Sequence, residues 1–322
     1  MMALDNIAEY VALVNQYYEK GLTDGLPVIP PYTKAVDKMI EASGREGDEV
    51  LGIVPPSYTP LTVETVAVNA VMAGCLPQYM PVIIAALECM LVPEWQWLGA
   101  AISTKGPAPL IIVNGPIRHK IGLNCKGNLF GPGYRSNATI GRAIRLIMMN
   151  VGGATQGIDK ATFGHPGRYS YVIGEDEEGS PWESFHVENG FTPDESTVSV
   201  IACEGPKQIH MHNVDRGAEG ILVTLADAFT TLGSYNATGK DSGVFIIGAE
   251  HRQTLYEEGW TKQQIKEFLF EHCRRKAGEL KRTVGNAEVK WVSEDDPDDK
   301  LVPIFNNADQ IKIISAGGMA GK

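Results

Sequence analysis

Leu110-Ile111-Ile112-Val113 is the stretch that decides the fold, because it is the clearest strand in the chain. Its unbroken apolar character is typical of a strand covered on both faces by other elements. The run continues into Asn114-Gly115-Pro116, whose residue types predict a turn. Other apolar or β-branched runs predict further strands at 51–54, 169–173, 197–202, 244–247 and 311–314.

Segments in which apolar residues recur at helical spacing separate these strands, and glycine or proline ends several of them. The predicted helices cover 3–20, 34–43, 62–74, 77–91, 138–150, 218–232 and 261–280. Strands that alternate with helices predict an α/β fold, built as a layered mixed sheet with flanking helices. We expect a single domain over 1–322 that is divisible into two lobes of about 1–155 and 156–322.

The composition is that of an ordered globular protein with an acidic surface. Of the 322 residues, 43% are apolar and 21% are charged, and the formal net charge is -11. An acidic chain gains nothing from phosphate contacts, so we expect no nucleic-acid partner. No apolar stretch is long enough to span a membrane, and the N-terminus MMALDNIAEY lacks the basic segment of a signal peptide. We therefore expect a cytoplasmic protein.

The five cysteines, Cys75, Cys89, Cys125, Cys203 and Cys273, form no C-x-x-C motif, so we expect free thiols. Cys75 lies in a Gly-Cys-x-Pro junction between two predicted helices. A thiol just before a helix N-terminus has a lowered pKa, which makes Cys75 the first candidate nucleophile. Cys125 is the second candidate, because it lies in a glycine-rich stretch. The alternative for each cysteine is a small buried apolar residue.

The glycine-rich stretch 122–137 runs directly into a predicted helix. Backbone N–H groups at such a junction favour an anion, and Arg135 and Arg142 offer planar guanidinium groups to the same ligand. The alternative is an ordered surface loop without a ligand. Neither a P-loop nor a G-x-G-x-x-G motif occurs, so no nucleotide cofactor is assigned. The predicted substrate-binding residues are Asn114, Asn124, Cys125, Gly133, Arg135, Asn137, Arg142 and Trp182.

Two further groups carry candidate chemistry. Glu175 begins an acidic run after the predicted strand 169–173, and it is either part of a solvated turn or a general base, with His165 as the proton shuttle and Trp182 as the pocket wall. His210, His212 and Asp215 are candidate ligands of zinc or iron. Because no further ligand can be identified, the cofactor stays unassigned and a metal stays open.

Four runs resemble a poorly characterised bacterial family whose members are associated with, or fused to, a small thiol or selenol domain named for its U-G-S-C motif. The similar runs are 24–31, 68–75, 131–142 and 180–183. The resemblance implies thiol–disulfide chemistry, although the U-G-S-C motif itself is absent here. It also implies more chain after the loop Ala316-Gly317-Gly318, where this sequence stops at Lys322. We therefore expect an oligomer that includes a second thiol- or selenol-type subunit.

The expected function is that of an enzyme, or a subunit of one, which acts on a small polar, anionic molecule by cysteine-thiol chemistry. The reaction is expected to be that of a carbon–heteroatom bond lyase or of a thiol-linked oxidoreductase. Two alternatives remain open: a metal-dependent lyase or hydratase centred on His210, His212 and Asp215, and a non-catalytic substrate-binding subunit of a redox complex. The residues alone do not identify the substrate.

Overall fold

The computed structural model describes residues 4–211, 216–239, 242–283 and 291–321. Its mixed sheets are flanked by helices, so the predicted α/β class is confirmed. The chain divides into two compact units, each made of several segments. Unit 1 contains 1–124, 130–174 and 194–205, and unit 2 contains 125–129, 175–193 and 206–322.

Unit 1 is built around a three-stranded sheet in the order β4-β3-β5, in which β3 pairs parallel with β4 and antiparallel with β5. A separate antiparallel pair joins β1 and β2. The strands are β1 Val50–Val54, β2 Thr59–Thr62, β3 Ala108–Asn114, β4 Val172–Gly174 and β5 Thr197–Cys203. The helices are α1 Leu4–Glu19, α2 Thr33–Ser43, α3 Val63–Ala73, α4 Met80–Leu91, α5 Trp97–Ile102, α6 Ile117–Lys120 and α7 Arg135–Asn150.

The core of unit 1 forms because β3 and the apolar helices α3, α4 and α7 bury their side chains together. Ile111 and Val113 on β3 are completely buried, and burial of each such side chain is worth about 1.5–3 kcal/mol. Thr62 caps α3 by accepting a hydrogen bond from the Thr65 N–H. Within the described residues, no single helix has the length and apolar composition of a membrane span, although the bent pair 77–91 and 93–102 passes that test together.

Unit 2 contains a parallel pair of strands, β6 with β9, and an antiparallel pair, β7 with β8. Its strands are β6 Gly243–Ile247, β7 Arg274–Lys276, β8 Leu301–Pro303 and β9 Ile311–Ser315. Its helices are α8 Phe185–Glu188, α9 Gly217–Phe229, α10 Asn236–Gly239, α11 Ala249–Glu257, α12 Lys262–His272 and α13 Ala277–Thr283. The core lies between the β6–β9 pair and helices α9, α11 and α12.

The predicted helix over 261–280 is wrong in its second half. Helix α12 ends at His272, and the next residues form β7 before α13 begins. The Cys273 carbonyl accepts a hydrogen bond from the Ile304 N–H, and Arg274 pairs with Pro303. A strand partner about 30 residues further along the chain therefore overrides the local preference of this charged segment for a helix.

Candidate functional site

The carboxyl ends of β6 and β9 lie side by side in unit 2. Gly248 follows β6 directly, and Ala316, Gly317 and Gly318 follow β9. The Gly317 N–H donates a hydrogen bond to the Cys125 carbonyl at 2.9 Å. A Cβ atom on Gly317 would lie 3.6 Å from the Gly248 Cα, and one on Gly318 would lie 3.0 Å from the Gly127 Cα. We call 125–129, Gly248 and 316–318 the carboxyl-edge loops. Ligands of open α/β sheets bind beyond this edge.

A buried ion pair lies next to these loops. Asp176 and Arg252 are only 3% and 2% exposed, and the Arg252 Nη2 donates to the Asp176 Oδ2. The Asp176 N–H donates to the carbonyl of Ser315, the last residue of β9, at 2.6 Å, and the Arg252 Nε donates to the Gly179 carbonyl at 3.2 Å. Both charged groups are therefore fixed at the end of β9.

The pair leaves one acceptor and one donor unused. The Asp176 Oδ1 and the Arg252 Nη1 are buried, and neither forms a hydrogen bond with the part of the chain that the structure describes. The two atoms belong to side chains that the hydrogen bond from Arg252 Nη2 to Asp176 Oδ2 joins, so they lie in the same part of unit 2. Buried polar atoms nearly always have a partner, because leaving one unpaired costs about 1–3 kcal/mol. A bound polar molecule is the kind of partner that these two atoms require.

Lys126 connects the ion pair to solvent. Its Nζ lies 3.9 Å from the Asp176 Oδ1, and its side chain is 70% exposed, whereas that of Asp176 is 4% exposed. Together Asp176, Arg252 and Lys126 carry one net positive charge. Among these three residues the charge balance favours an anion, although the acidic residues Glu175, Glu177 and Glu178 adjoin Asp176 in the sequence.

Glu175, the carboxylate predicted from the sequence as a general base, differs from Asp176 in that both of its oxygens accept hydrogen bonds from the backbone. It is completely buried, its Oε2 accepts from the Phe185 N–H at 2.7 Å, and its Oε1 accepts from the Ser315 N–H at 3.3 Å. The Lys262 Nζ lies 3.8 Å from Oε1. Burial lowers the pKa of Lys262, and the nearby Glu175 charge opposes that shift. Both oxygens of Glu175 are engaged, so its neighbour Asp176 is the better-placed base.

Trp182 packs against the core of unit 2, and its Nε1 donates to the Trp260 carbonyl at 2.9 Å. The side chain therefore holds two chain segments together rather than presenting its N–H group to a ligand. Nearby, the Ser180 and Ser315 hydroxyls lie 2.9 Å apart. This contact fixes the turn after Asp176 to the end of β9.

The expected lowering of the Cys75 pKa is wrong. The thiol is 5% exposed, its Sγ donates to the Thr139 carbonyl at 3.2 Å, and burial raises its pKa to about 12. Arg135, predicted to hold an anion, donates from Nε and Nη2 to the Gly74 carbonyl at 2.9 and 2.8 Å. Both residues stabilise the junction after α3, and a thiol in this setting is a weak nucleophile.

We expect native Cys75 to react with iodoacetamide more slowly than the half-buried Cys89 between about pH 7 and 9, because alkylation requires an accessible thiolate. Mass spectrometry of peptides after timed alkylation measures both rates. In denaturant the two thiols are expected to react alike. Faster labelling of Cys75 than of Cys89 in the native protein would show that the Cys75 thiol is not buried and that its pKa is not raised.

The other substrate-binding residues predicted in unit 1 mainly hold the backbone. Arg142 forms two hydrogen bonds of 2.8 Å with the Asp24 carboxylate and one of 2.8 Å with the Pro27 carbonyl, so it fixes the proline-rich loop instead of a ligand. Asn137 accepts from the Asn124 N–H at 2.8 Å and donates to the Val172 carbonyl at 2.9 Å. The side-chain amide of Asn137 thereby satisfies backbone N–H and C=O groups that lack a backbone partner at the start of the glycine-rich stretch.

The remaining unit 1 candidates do not converge on one site. Asn114 is completely buried at the end of β3. Gly133 has open space around the position of a Cβ atom. The His165 Nδ1 accepts from the Gly167 N–H at 3.2 Å, and burial lowers the pKa of this imidazole. His165 and Glu175 were expected to act together, but they belong to different compact units.

The predicted metal site falls largely outside the described residues, because His212 and Asp215 are not among them. Among the residues that are described, no group of three or more His, Cys, Asp or Glu side chains is arranged to hold a metal ion. His210 is described, and it belongs to no such group. The metal hypothesis for this segment stays a prediction.

Three residues of the site, Asp176, Arg252 and Lys126, were missed by sequence reasoning, which chose Glu175 as the base. Arg252 lies in α11, whose polar sequence AEHRQTLYE resembles an ordinary surface helix. Lys126 lies in the glycine-rich stretch 122–137, but an isolated lysine in a loop carries no signal of its own. Asp176 was included in the acidic run that begins at Glu175, and its position one residue after Glu175 was the available clue.

Comparison of this chain with protein-family models, with curated proteins and with solved structures finds no match. The resemblance to the family associated with U-G-S-C domains therefore stays an expectation from four sequence runs. The chemistry of the carboxyl-edge loops and the Asp176–Arg252 pair must support any assignment of function.

Proposed function

We propose that this chain is an enzyme, or a subunit of one, that binds a small polar, anionic molecule at the carboxyl-edge loops. The observation that carries the proposal is the buried Asp176–Arg252 pair, in which one oxygen and one nitrogen have no hydrogen-bond partner in the described part of the chain. A fold that only required structural stability would do as well with apolar side chains at these positions. A buried pair whose two remaining polar atoms have no hydrogen-bond partner among the described residues is well suited to complete its hydrogen bonds with a ligand.

The unused atoms specify the chemistry of that ligand. The Arg252 Nη1 donates, so it requires a carboxylate or similar oxygen, and Lys126 adds a second positive charge. The Asp176 Oδ1 accepts, so it requires a hydroxyl or amine hydrogen. A molecule with a carboxylate beside a hydroxyl or amino group satisfies both atoms. Small 2-hydroxy and 2-amino acids are the simplest members of this class.

The same geometry favours Asp176 as the general base. Its Oδ1 accepts no hydrogen bond from the described residues, while Arg252 and the Ser315 carbonyl keep the side chain and backbone in place. In an elimination, the base removes a proton from carbon and the heteroatom group leaves with the bonding electrons. This fits the carbon–heteroatom lyase expected from the sequence. For this step the buried Asp176 Oδ1 turns from the hydroxyl or amine hydrogen of the ligand to a neighbouring C–H hydrogen.

If a thiol takes part, Cys125 is the best-placed cysteine. Its carbonyl accepts from Gly317, and the residue adjoins Lys126 in the carboxyl-edge loops. Burial raises the pKa values of Cys75, Cys203 and Cys273 to about 12. Cys125 is buried as well, contrary to the exposed position expected in a glycine-rich loop, so its place beside Lys126 is what favours it. A thiol-linked reaction is therefore proposed at Cys125, and Cys75 is no longer preferred. The alternative of a non-catalytic binding subunit uses the same ligand site without turnover.

The test compares two probe molecules that differ by one hydroxyl group. Glycolate is expected to raise the melting temperature of the protein, because its hydroxyl reaches Asp176 and its carboxylate reaches Arg252. Acetate lacks the hydroxyl and is expected to bind more weakly, since the acceptor then stays unpaired. Equal effects of glycolate and acetate at constant ionic strength would contradict the proposed ligand class. Mass spectrometry of molecules extracted from the purified protein would identify a natural ligand.

Lys126→Ala is expected to weaken glycolate binding about 10-fold, because an anion loses one charge-assisted contact. Isothermal titration calorimetry measures this change. Lys300→Ala is the matched control, since Lys300 is also an exposed lysine paired with an aspartate in unit 2. The control is expected to bind glycolate as the unchanged protein does. If Lys126→Ala and Lys300→Ala bind glycolate with equal affinity, then Lys126 does not contact the ligand.

Association with further subunits stays a proposal, and one feature of unit 1 supports it. Helix α1 exposes the apolar side chains of Ile7, Val11 and Tyr18 by 43%, 50% and 65%. They recur at intervals of four and seven residues, so they lie along one stripe of the helix. Such a stripe on a solvent-exposed helix is typical of a surface that packs against another chain.

A further inference from the structure

Unit 1 contains a cluster of charges that the proposed function does not use. Arg145 on α7 and Arg168 both donate from Nη2 to the same oxygen, Oδ2, of Asp159. The Arg145 contact is 3.0 Å long, and the Arg168 Nη1 also donates to the Pro107 carbonyl at 3.2 Å. The other oxygen of Asp159 accepts from the Ala161 N–H at 3.1 Å. Two guanidinium groups therefore share one carboxylate.

The positive charge of this cluster exceeds its negative charge by one, and the cluster is largely shielded from water. The side chains of Arg145, Arg168 and Asp159 are 17%, 12% and 10% exposed. Within the described chain, neither arginine forms an ion pair with any other acidic residue. Burial lowers the pKa of Arg168, and repulsion from Arg145 lowers it further. Such an excess of buried charge is stabilised by a second anion.

Arg145 has the donors that a second anion requires. Its single side-chain hydrogen bond to described residues uses Nη2, which leaves Nε and Nη1 for another partner. Both arginines line a narrow cleft together with Pro107, Gly141, Gly167 and Tyr171. The enclosed part of this cleft is only about 10 Å³, which is room for about one water molecule. An ion therefore binds at the solvent-open mouth of the cleft, against the two arginines.

We propose that the Arg145–Arg168–Asp159 cleft is a binding site for a small oxyanion such as inorganic phosphate. The anion lies against Arg145, which donates to it from Nε or Nη1, and it neutralises the charge that Asp159 leaves unbalanced. Tyr171 closes one side of the cleft, and its own hydroxyl donates to the Glu204 carbonyl at 3.2 Å. The ring is therefore fixed in place as a wall. This site does not depend on the function proposed for unit 2.

The test uses inorganic phosphate as the probe, with sodium chloride added to keep the ionic strength constant. Phosphate is expected to raise the melting temperature of the unchanged protein in a saturable manner, whereas chloride is not. Sulfate and acetate distinguish a tetrahedral oxyanion from a carboxylate. A saturable rise with any of these oxyanions supports the site, because the general stabilisation by excluded sulfate or phosphate does not saturate. The order of the saturable effects identifies the preferred shape. Equal effects of all four anions would overturn the proposal.

Arg145→Met is the decisive variant. It leaves Arg168 and Asp159 as a balanced pair, so the phosphate-free protein is expected to melt at the same temperature or higher, while the phosphate effect is lost. A purely structural Arg145 would give the opposite result, with a lower melting temperature and an unchanged phosphate effect. Arg145→Lys keeps the charge without the planar fork and is expected to raise the Kd for phosphate about 10-fold. It serves as the second variant if Arg145→Met folds poorly.

Arg45→Met is the matched control in the same unit. Arg45 bonds to two carboxylates, those of Glu49 and Glu88, each at 2.5 Å. This group therefore carries one excess negative charge, whereas the group around Asp159 carries one excess positive charge. Its loss is expected to lower the melting temperature and to leave the phosphate effect intact. Loss of the phosphate effect in Arg145→Met but not in Arg45→Met supports the site. An equal phosphate effect in the unchanged protein and Arg145→Met overturns it.

Discussion

Arg252→Met is expected to lower the free energy of unfolding by about 3–5 kcal/mol. The substitution leaves the Asp176 carboxylate 3% exposed and without its bonded guanidinium. An unpaired charge in such a position must either remain poorly solvated or take up a proton, and both cost free energy. Denaturation by urea, followed by circular dichroism, measures the loss.

A double variant and a surface control isolate the cause. Arg252→Met combined with Asp176→Leu removes both charges, so it is expected to regain most of the lost stability. Arg282→Met breaks an ion pair with Asp298 in which the two side chains are 66% and 63% exposed. Its expected cost is at most about 1 kcal/mol. A loss in Arg252→Met no larger than that of the surface control would show that the pair is not buried.

The double variant also separates folding from function. If it is as stable as the unchanged protein, its failure to bind glycolate cannot be attributed to unfolding. The proposed ligand site predicts that outcome, because both unused atoms have been removed while Lys126 remains. A stable double variant that still binds glycolate would instead mean that the Asp176–Arg252 pair is not the ligand site.

The fold was predictable wherever local apolar patterns carry the structural information. Residues 110–113 formed the centre of β3, and the apolar segments 62–74 and 77–91 became buried helices. The exception is 261–280, where β7 interrupts the helix because Arg274–Lys276 pairs with Leu301–Pro303. Helical periodicity is a property of neighbouring residues, and a strand partner about 30 residues away leaves no trace in it.

The candidate site was less predictable, because it depends on which polar groups remain unpaired after folding. Arg135 and Arg142 had the right chemistry for an anion, but backbone carbonyls and Asp24 already occupy their guanidinium groups. Glu175 and Asp176 are adjacent in sequence, yet only Asp176 has a buried oxygen without a hydrogen bond to the described residues. The residue type shows which hydrogen-bond donors and acceptors a side chain has. The tertiary contacts decide which of them remain unpaired and can bind a ligand.

Gly115→Ala is expected to destabilise unit 1 by about 3 kcal/mol or more. Gly115 follows β3 with a φ of +79°, which a residue with a Cβ atom adopts only with strain. The added Cβ would also lie 2.1 Å from the Glu195 carbonyl oxygen and 2.7 Å from the Ser196 Cα. These are backbone atoms, so a change of side-chain rotamer cannot relieve the contact. The chain before β5 would have to move.

Gly122→Ala separates the two sources of that cost. Gly122 has a similar φ of +62°, but nothing lies within 4 Å of the position of its Cβ atom. Gly122→Ala is therefore expected to lower the free energy of unfolding only through the unfavourable backbone conformation, by about 1–2 kcal/mol. Urea denaturation of both variants measures the difference, which reports the close approach of 195–196 to the turn after β3. If Gly115→Ala costs no more than Gly122→Ala, then the backbone at Glu195 is not packed against this turn. The antiparallel register between β3 and β5, which begins at Asn114 and Thr197, would then also be in question.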